Sequence, residues 1–195
     1  MKKLESSLTN MVLVLTLVAV IMGAILAGVN HVTEGPINEQ KEKVLANGIK
    51  AVMVNDNIQV AEPQEVKQNI GGKEFTYLIY QVKDAQGQDL GAAVQSTTMG
   101  FGGDLKVLVG FDPEGTILGY TLLEHAETPG LGAKADKWFQ KGQKGDIIGK
   151  SPAEQLTVSK DGGQVDAITA STITSRAFLL AVNNAYNAYK ATPAK

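Results

Sequence analysis

The 195-residue sequence contains no cysteine, and this absence excludes three kinds of chemistry. A chain without thiols forms no disulfides, binds no iron–sulfur cluster through its own thiolates and offers no thiol nucleophile. Only two histidines are present, His31 and His125, which argues against a histidine-rich zinc site. His125 has no evident partner for acid–base work, so the sequence predicts neither a metal site nor a catalytic residue.

A strong excess of charge of one sign is also lacking. The formal net charge is −2, and charged residues form no long tail. Proteins that bind nucleic acid usually carry a strongly basic patch. The sequence therefore predicts no nucleic-acid partner, and its length allows one ordinary domain beyond a short anchor.

One long apolar run, residues 11–29, contains no charge and a single hydroxyl residue, Thr16. A helix of this length crosses the roughly 30 Å hydrocarbon layer, so the run predicts a transmembrane helix in contact with membrane lipid. The alternative is a cleaved signal peptide. Its apolar region is usually about 7–15 residues and ends at a small-residue cleavage site, whereas Asn30 to Thr33 follow this run.

Basic residues flank only one end of this run closely. Lys2 and Lys3 precede it, and the next basic residue is Lys41. The positive-inside rule then places residues 1–10 in the cytoplasm and the rest of the chain outside it. We expect a single-pass protein of the cell (inner) membrane with a periplasmic or extracytoplasmic domain.

Hydrophobic periodicity predicts an α+β fold, an antiparallel sheet with packed helices, after the transmembrane helix. An amphipathic helix from about Pro36 to Met53 belongs to a linker, residues 30–72. The soluble domain covers residues 73–190 and is followed by a tail, residues 191–195. The predicted strands are 75–82, 90–95, 105–111 and 117–123, and the predicted helices are 133–141 and 172–190.

The segment from Asp166 to Arg176 is unusual because five hydroxyl residues fall within seven positions, 169–175, just before the last helix. Hydroxyls and free N–H groups at the positive end of a helix favour an anion such as phosphate. The alternative is an N-cap, in which serine or threonine satisfies those N–H groups without a ligand. A second segment, Glu127 to Lys134, is a Pro-Gly-Leu-Gly turn with polar neighbours, and is either a ligand loop or a solvated one.

Taken together, these segments resemble known signatures. Asp166-x-x-Thr169-Ala170-Ser171-Thr172 resembles the D-x-x-(S/T)-G-A-T motif of FMN-binding domains. Residues 127–132 and 100–103 look like two further signatures of that family. With the N-terminal helix and this length, the chain resembles the G subunits of the Rnf (Rsx) ion-translocating electron transport complexes.

The resemblance implies that a flavin transferase joins FMN to Thr172 through a phosphoester, and that it reads Asp166 and Thr169. Ala170 departs from the usual glycine and Ser171 from the usual alanine, and Ser171 and Thr174 are competing acceptors. On this hypothesis the flavin ring lies on the 127–132 loop, with Leu131 on its face and Thr128 or Lys134 near its polar atoms. The predicted cofactor site is Thr172 with Asp166, Thr169, Ala170, Ser171, Thr174, Glu127, Thr128, Gly130, Leu131 and Lys134.

The resemblance also implies a function: an electron-carrying subunit, without independent catalytic activity, of an Rnf-type ferredoxin:NAD+ oxidoreductase. Its expected partners are the iron–sulfur and membrane subunits of that complex, and a periplasmic flavin transferase for maturation. Two alternatives remain open at this point. One is the C subunit of a sodium-translocating NADH:quinone reductase, and the other is a flavin-free, membrane-tethered binding domain.

Overall fold

A computed structural model describes residues 7–70 and 73–192. The chain divides into two compact units, residues 1–44 and 45–195. The first unit contains most of helix α1, Leu8–Met53, which is long and apolar enough to cross a membrane. Pro36 lies inside α1, so the expectation of a separate helix that starts near Pro36 is wrong. A proline removes only one N–H donor, and here the helical hydrogen bonds on both sides of it maintain the helix.

The second unit is built on one antiparallel sheet, which confirms the predicted α+β class. Its strands follow the order β1-β3-β4-β5-β6, and β2 also pairs with β3. The strands are β1 Ile58–Val60, β2 Gln64–Ile70, β3 Lys73–Asp84, β4 Asp89–Met99, β5 Asp104–Phe111 and β6 Ile117–His125.

Strands β1 and β2 lie within residues 30–72, which the sequence predicts to be a linker and amphipathic helix. They add to the same side of β3, which is long enough to pair with both. Over residues 64–69, the part of β2 whose burial is described, the half-buried positions are Gln64, Val66 and Gln68, of which only Val66 is apolar. This composition hides the period-two alternation that identifies a strand.

Both faces of the sheet are covered. Helix α3, Thr172–Ala191, packs on one face, where Phe178 stacks on Phe139 with ring centroids 4.3 Å apart and meets the edge of Tyr120. The last turn of α1 covers the other face, where Ile49, Val52 and Met53 are buried. This double cover explains why β5 is buried at almost every position and does not show a polar face.

A pair of glycines allows that last turn of α1 to approach closely. Gly110 of β5 lies opposite Gly119 of β6 in the sheet. A Cβ atom at Gly110 would overlap the carbonyl oxygen of Val52, and a Cβ at Gly119 would also press on the Val52 backbone. The two glycines thus determine where residues 48–53 pack on the sheet.

The remaining elements are short. A 3₁₀ turn, Gly132–Lys134, leads into helix α2, Ala135–Trp138, and a second 3₁₀ turn covers Ser159–Asp161. The predicted helix 133–141 is therefore shorter than expected. Phe139 is fully buried, and its backbone N–H donates to the Tyr120 hydroxyl. This tertiary hydrogen bond replaces a helical one, so the helix ends at Trp138.

Candidate functional site

Three segments that are distant in the sequence meet at one end of the sheet. They are the loop between β4 and β5 (residues 100–103), the segment after β6 (residues 126–132) and the start of α3. Together they enclose a cavity of about 380 Å³. The residues that line this cavity are Phe101, Glu127, Thr128, Leu131, Gly132, Ala170, Ser171, Thr172, Ile173 and Thr174.

Strand direction explains why the first two segments meet. Strands β4 and β6 both run antiparallel to β5, so β4 and β6 end at the same edge of the sheet. The 100–103 loop leaves β4 and the 126–132 segment leaves β6 at this edge. Helix α3 packs across β4 and β5, and the Thr98 hydroxyl donates to the Ala177 carbonyl at 2.8 Å, which holds the first turns of α3 near the same edge.

Glu127 joins the three segments. Its side chain is buried, with 6% of its surface exposed. Oε1 accepts hydrogen bonds from the backbone N–H of Phe101 at 2.7 Å and of Gly102 at 3.4 Å, and Oε2 accepts one from the Thr174 hydroxyl at 2.9 Å. A buried carboxylate is tolerated when its oxygens receive such donors. Glu127 is thus the hydrogen-bonded centre of the cavity wall.

The glycines of the two loops make room for that carboxylate. A Cβ atom at Gly100 would overlap Glu127 Oε1, and a Cβ atom at Gly132 would overlap both Glu127 Oε2 and the Thr174 hydroxyl. At Gly102 a Cβ would overlap the Ala126 carbonyl oxygen. The glycine-rich sequences of both loops therefore serve close packing around one buried acid.

The start of α3 presents free donors to the cavity. Ser171 is the N-cap residue, yet among the described residues its side chain makes no capping hydrogen bond. A helix start leaves its first N–H groups without partners inside the helix, and the helix dipole makes this end positive. Thr172, Ile173 and Thr174 all line the cavity at this position. The arrangement favours an anion over the simple N-cap that was the alternative from the sequence.

The five hydroxyl residues of the segment differ in their exposure and in the hydrogen bonds that their side chains make. Thr174 and Ser175 are buried and engaged: Thr174 donates to Glu127, and Ser175 donates to the Ser171 carbonyl while it accepts from the Ile168 N–H. Ser171 is 8% exposed. Thr172 is half-buried, lines the cavity, and its Oγ1 accepts a hydrogen bond from Lys160 Nζ at 3.1 Å. Thr172 thus combines exposure with a place at the helix start.

Other residues in the predicted cofactor site lie outside this cavity. Asp166 and Thr169 are exposed on the chain before α3, and Asp166 accepts a hydrogen bond from the Ser159 hydroxyl at 3.0 Å. Gly130 and Lys134 line a neighbouring cavity of about 380 Å³, next to Trp138. The 129–134 turn is tight, with Leu131 and Ala133 both donating backbone hydrogen bonds to the Thr128 carbonyl. Leu131 and Gly132 line the first cavity, whereas Gly130 and Lys134 line the second.

Four residues of the site were not among the predicted cofactor residues: Phe101, Gly132, Ile173 and Lys160. Phe101 and Ile173 are apolar, exposed to 69% and 53%, and line the cavity together with Leu131. Phe101 lies in the 100–103 segment, which the sequence analysis does identify. An aromatic residue between glycines could have indicated a ligand contact there. Lys160 lies twelve residues before Thr172, in a separate turn, and no sequence pattern links the two.

Ala170 has a left-handed backbone conformation, with φ = 62°. A Cβ atom makes this conformation costly by roughly 1–2 kcal/mol, which explains why the motif resembled by this segment has glycine at the same place. We expect Ala170→Gly to raise the midpoint of thermal unfolding of the full chain in detergent by about 2 °C, after allowance for the greater freedom of glycine in the unfolded chain.

The control for this prediction is Ala153→Gly. Ala153 is also exposed in a turn but does not have a positive φ, so its replacement should lower the midpoint. Equal shifts for the two variants would contradict the assigned strain at Ala170.

Comparisons with known proteins agree on one family. The model of the FMN-binding domain matches residues 100–187, a range that includes all three segments of the cavity. The chain is 32% identical over 190 residues to the G subunit of the ion-translocating oxidoreductase complex of Shewanella baltica, covering 88% of this chain and 84% of that protein. It is 32% identical over 174 residues to the G subunit of the proton-translocating ferredoxin:NAD(+) oxidoreductase complex of Clostridium ljungdahlii, covering 88% and 85%.

A further relative and a solved structure extend this picture. The chain is 30% identical over 190 residues to the G subunit of the Na(+)-translocating ferredoxin:NAD(+) oxidoreductase complex of Acetobacterium woodii, covering 91% and 89%. The crystal structure of the C subunit of the Na(+)-translocating NADH-quinone reductase from Parabacteroides distasonis has the same fold, with a TM-score of 0.52. That likeness covers 79% of this chain and 94% of the other at 20% identity, so it concerns the fold alone.

Proposed function

Because the chain belongs to the family of G subunits of ion-translocating oxidoreductase complexes, we propose that it carries its FMN covalently, as a phosphoester on Thr172. The chain is an electron-carrying subunit of a redox-driven translocase. When bound, FMN supplies one- and two-electron redox chemistry that amino-acid side chains lack.

One observation carries this proposal: Thr172 lies at an uncapped helix start and lines a cavity walled by all three family signatures. The cavity's volume of about 380 Å³ falls within the usual range for cofactor sites, roughly 300–1,000 Å³. Its donors suit a phosphate, and its exposed apolar side chains, Phe101, Leu131 and Ile173, suit a flat aromatic ring. The residues present therefore fit FMN.

The ester requires an activated donor, since a free phosphate is a poor electrophile toward a hydroxyl. A flavin pyrophosphate meets this need. The Thr172 Oγ–P bond forms, the bridging P–O bond of the pyrophosphate breaks, the second phosphate leaves with its own substituent, and the hydroxyl proton passes to solvent. We propose that a separate flavin transferase catalyses this step and that the exposed residues Asp166 and Thr169 are available for it to recognise.

The two competing acceptors are less suitable. Thr174 is 1% exposed and its hydroxyl donates to Glu127, so modification there would break the centre of the cavity wall. Ser171 is also buried. We propose that Ala170 and Ser171 serve mainly as small residues that let the phosphate approach the backbone. Leu131 and Thr128 remain the proposed ring contacts, whereas Gly130 and Lys134 support the loop from its other side.

The experiment that tests the proposal is peptide mapping. The full chain is purified from cells that contain the flavin transferase, checked for flavin fluorescence in a denaturing gel, and digested for mass spectrometry. We expect one peptide, containing Thr172, to gain the mass of FMN less one water, with fragmentation that places the group on Thr172. Flavin on Ser171, Thr169 or Thr174, or no covalent flavin in the native complex, would contradict the proposal.

The proposed partners are the membrane and iron–sulfur subunits of an Rnf-type complex. The Clostridium and Acetobacterium relatives are named as subunits of ferredoxin:NAD(+) oxidoreductase complexes, which supports this assignment. We propose that this chain receives electrons from one partner and passes them to another while the multi-spanning subunits move the ion. Copurification of iron–sulfur subunits tests this, and a quinone-reductase set in their place would contradict it.

We also propose the orientation: residues 11–29 cross the inner membrane, with residues 1–10 in the cytoplasm and the domain outside. The absence of cysteine makes this testable without background labelling. A single cysteine at exposed Glu114 should react in intact cells with a thiol reagent that cannot cross the inner membrane, and one at Ser7 should react only after lysis. The reverse pattern would contradict both the orientation and the need for an extracytoplasmic transferase.

A further inference from the structure

The turn formed by Ser159, Lys160 and Asp161 contacts the acceptor segment at three points. The Ser159 hydroxyl donates to Asp166 Oδ1 at 3.0 Å, and Lys160 Nζ donates to Thr172 Oγ1 at 3.1 Å. The Asp161 carboxylate accepts two hydrogen bonds from Arg176, at 2.7 and 2.6 Å. Each side chain of this turn thus reaches a residue in the segment from Asp166 to Arg176.

The turn is held by the core beneath it. Val158 and Val165 on either side are each 1% exposed and form a parallel bridge. The Ser159 N–H donates to the Val165 carbonyl at 2.7 Å, and Gly162 closes the turn in a left-handed conformation that suits glycine. Lys160 therefore projects from a fixed backbone position.

The charges around the turn leave Lys160 available for an anion. Its neighbour Asp161 is matched by Arg176 in a two-pronged ion pair, and the Arg176 guanidinium holds the pKa of Asp161 below its usual value. Lys160 instead makes its hydrogen bond to a neutral hydroxyl. An ammonium has three donors and a full charge, so a threonine hydroxyl is a weaker partner for it than a phosphate oxygen.

We propose that Lys160 is the counter-ion of the phosphoester at Thr172 and holds it against the start of α3. This inference rests on the proposed attachment of FMN to Thr172. Esterification places a negatively charged phosphate on the very atom that Lys160 already contacts, so the ammonium reaches a phosphate oxygen with little movement. Lys160 is a positioning residue for the cofactor, and the Asp161–Arg176 ion pair keeps its turn in place.

The test compares two forms of the full chain, flavinylated and unmodified, the second expressed without the transferase. Lys160→Gln removes the charge but keeps an N–H donor, and Lys160→Arg keeps the charge. Lys83→Gln is the matched control. Lys83 is exposed on β3, beside the hairpin that joins β3 to β4, at the opposite end of β4 from the cavity. Intact mass gives the flavinylated fraction, and circular dichroism gives the midpoint of thermal unfolding.

We expect Lys160→Gln to lower the midpoint of the flavinylated form by about 2–4 °C more than that of the unmodified form, because a charged hydrogen bond exists only in the first. Lys160→Arg should keep most of the difference, and Lys83→Gln should lower both forms equally. Complete failure of Lys160→Gln to accept flavin, with Lys160→Arg still modified, would also support a required positive charge at this position.

Two results would overturn the proposal. The first is an equal loss of stability in both forms of Lys160→Gln. The second is a block of flavinylation by both Lys160 variants while their unmodified forms unfold normally, which would indicate recognition of lysine itself by the transferase. A failure of the proposed function is distinguishable from both, since the wild-type protein would then show no FMN on Thr172.

Discussion

Thr172→Val will leave the protein without covalent flavin, with the fold unchanged. Valine has nearly the same shape as threonine and lacks only the hydroxyl that would form the ester. Thr172 is half-buried at the first position of α3, and its hydroxyl contacts Lys160 on the surface of the domain, so its loss leaves the core untouched. Intact mass and in-gel fluorescence should both lose the flavin signal, while the unfolding midpoint should match that of the unmodified wild-type protein.

The matched control is Thr172→Ser, which keeps a hydroxyl on the Cβ atom of the same residue. We expect it to recover part of the flavin, at a lower yield because serine lacks the methyl group that restricts the χ1 rotation of threonine. Retention of covalent flavin in Thr172→Val would show that another residue is the acceptor and would refute the assignment.

The second large effect is expected at Glu127. Glu127→Ala removes the acceptor of three hydrogen bonds and leaves the N–H groups of Phe101 and Gly102 and the buried Thr174 hydroxyl without it. Loss of a buried, hydrogen-bonded carboxylate should lower the free energy of unfolding by about 3 kcal/mol or more. Since both loops and α3 depend on this side chain, flavin incorporation should fall as well.

Glu127→Gln separates charge from geometry. The amide keeps an acceptor for the Phe101 N–H, and the Thr174 hydroxyl can rotate to accept from the amide nitrogen, so the loss should be smaller than for alanine. Glu114→Ala is the control for removal of an exposed carboxylate and should change the free energy of unfolding by less than about 0.5 kcal/mol. Denaturant unfolding of the unmodified full chain measures these effects. Similar losses for Glu127→Ala and Glu114→Ala would refute the role of Glu127.

Much of the fold is predictable from local patterns. Helix α3 begins at Thr172 as expected, because its apolar residues repeat at helical spacing and its start is rich in hydroxyl residues. The hairpins formed by β3 to β6 follow from strand-forming segments separated by glycine-containing turns. By contrast, β1 has only three residues, and the half-buried positions described in β2 are mostly polar, so only their pairing with β3 reveals these two strands.

The sequence predicts the segments that form the site, but not the contacts between them. Motif resemblance identifies the 100–103, 127–132 and 166–172 segments, and the structure brings them to one cavity. Glu127, expected as a cofactor contact, has both carboxylate oxygens engaged by the chain itself. The Lys160–Thr172 contact depends on how the turn before α3 packs, which is a property of the tertiary structure. The cofactor roles of the individual residues stay predictions until flavin is located.

If FMN is attached to Thr172 as proposed, the uncapped start of α3 represents a trade-off between stability and function. A capping side chain at Ser171 would stabilise the free domain by about 1 kcal/mol, and serine is among the residues best able to provide it. The nearest hydroxyls are instead directed elsewhere, Thr174 to Glu127 and Ser175 to the Ser171 carbonyl. The unmodified chain thus keeps a slightly weaker helix end, and the position that a cap would occupy stays open to the cofactor. Maturation would then complete the helix as well as load the flavin.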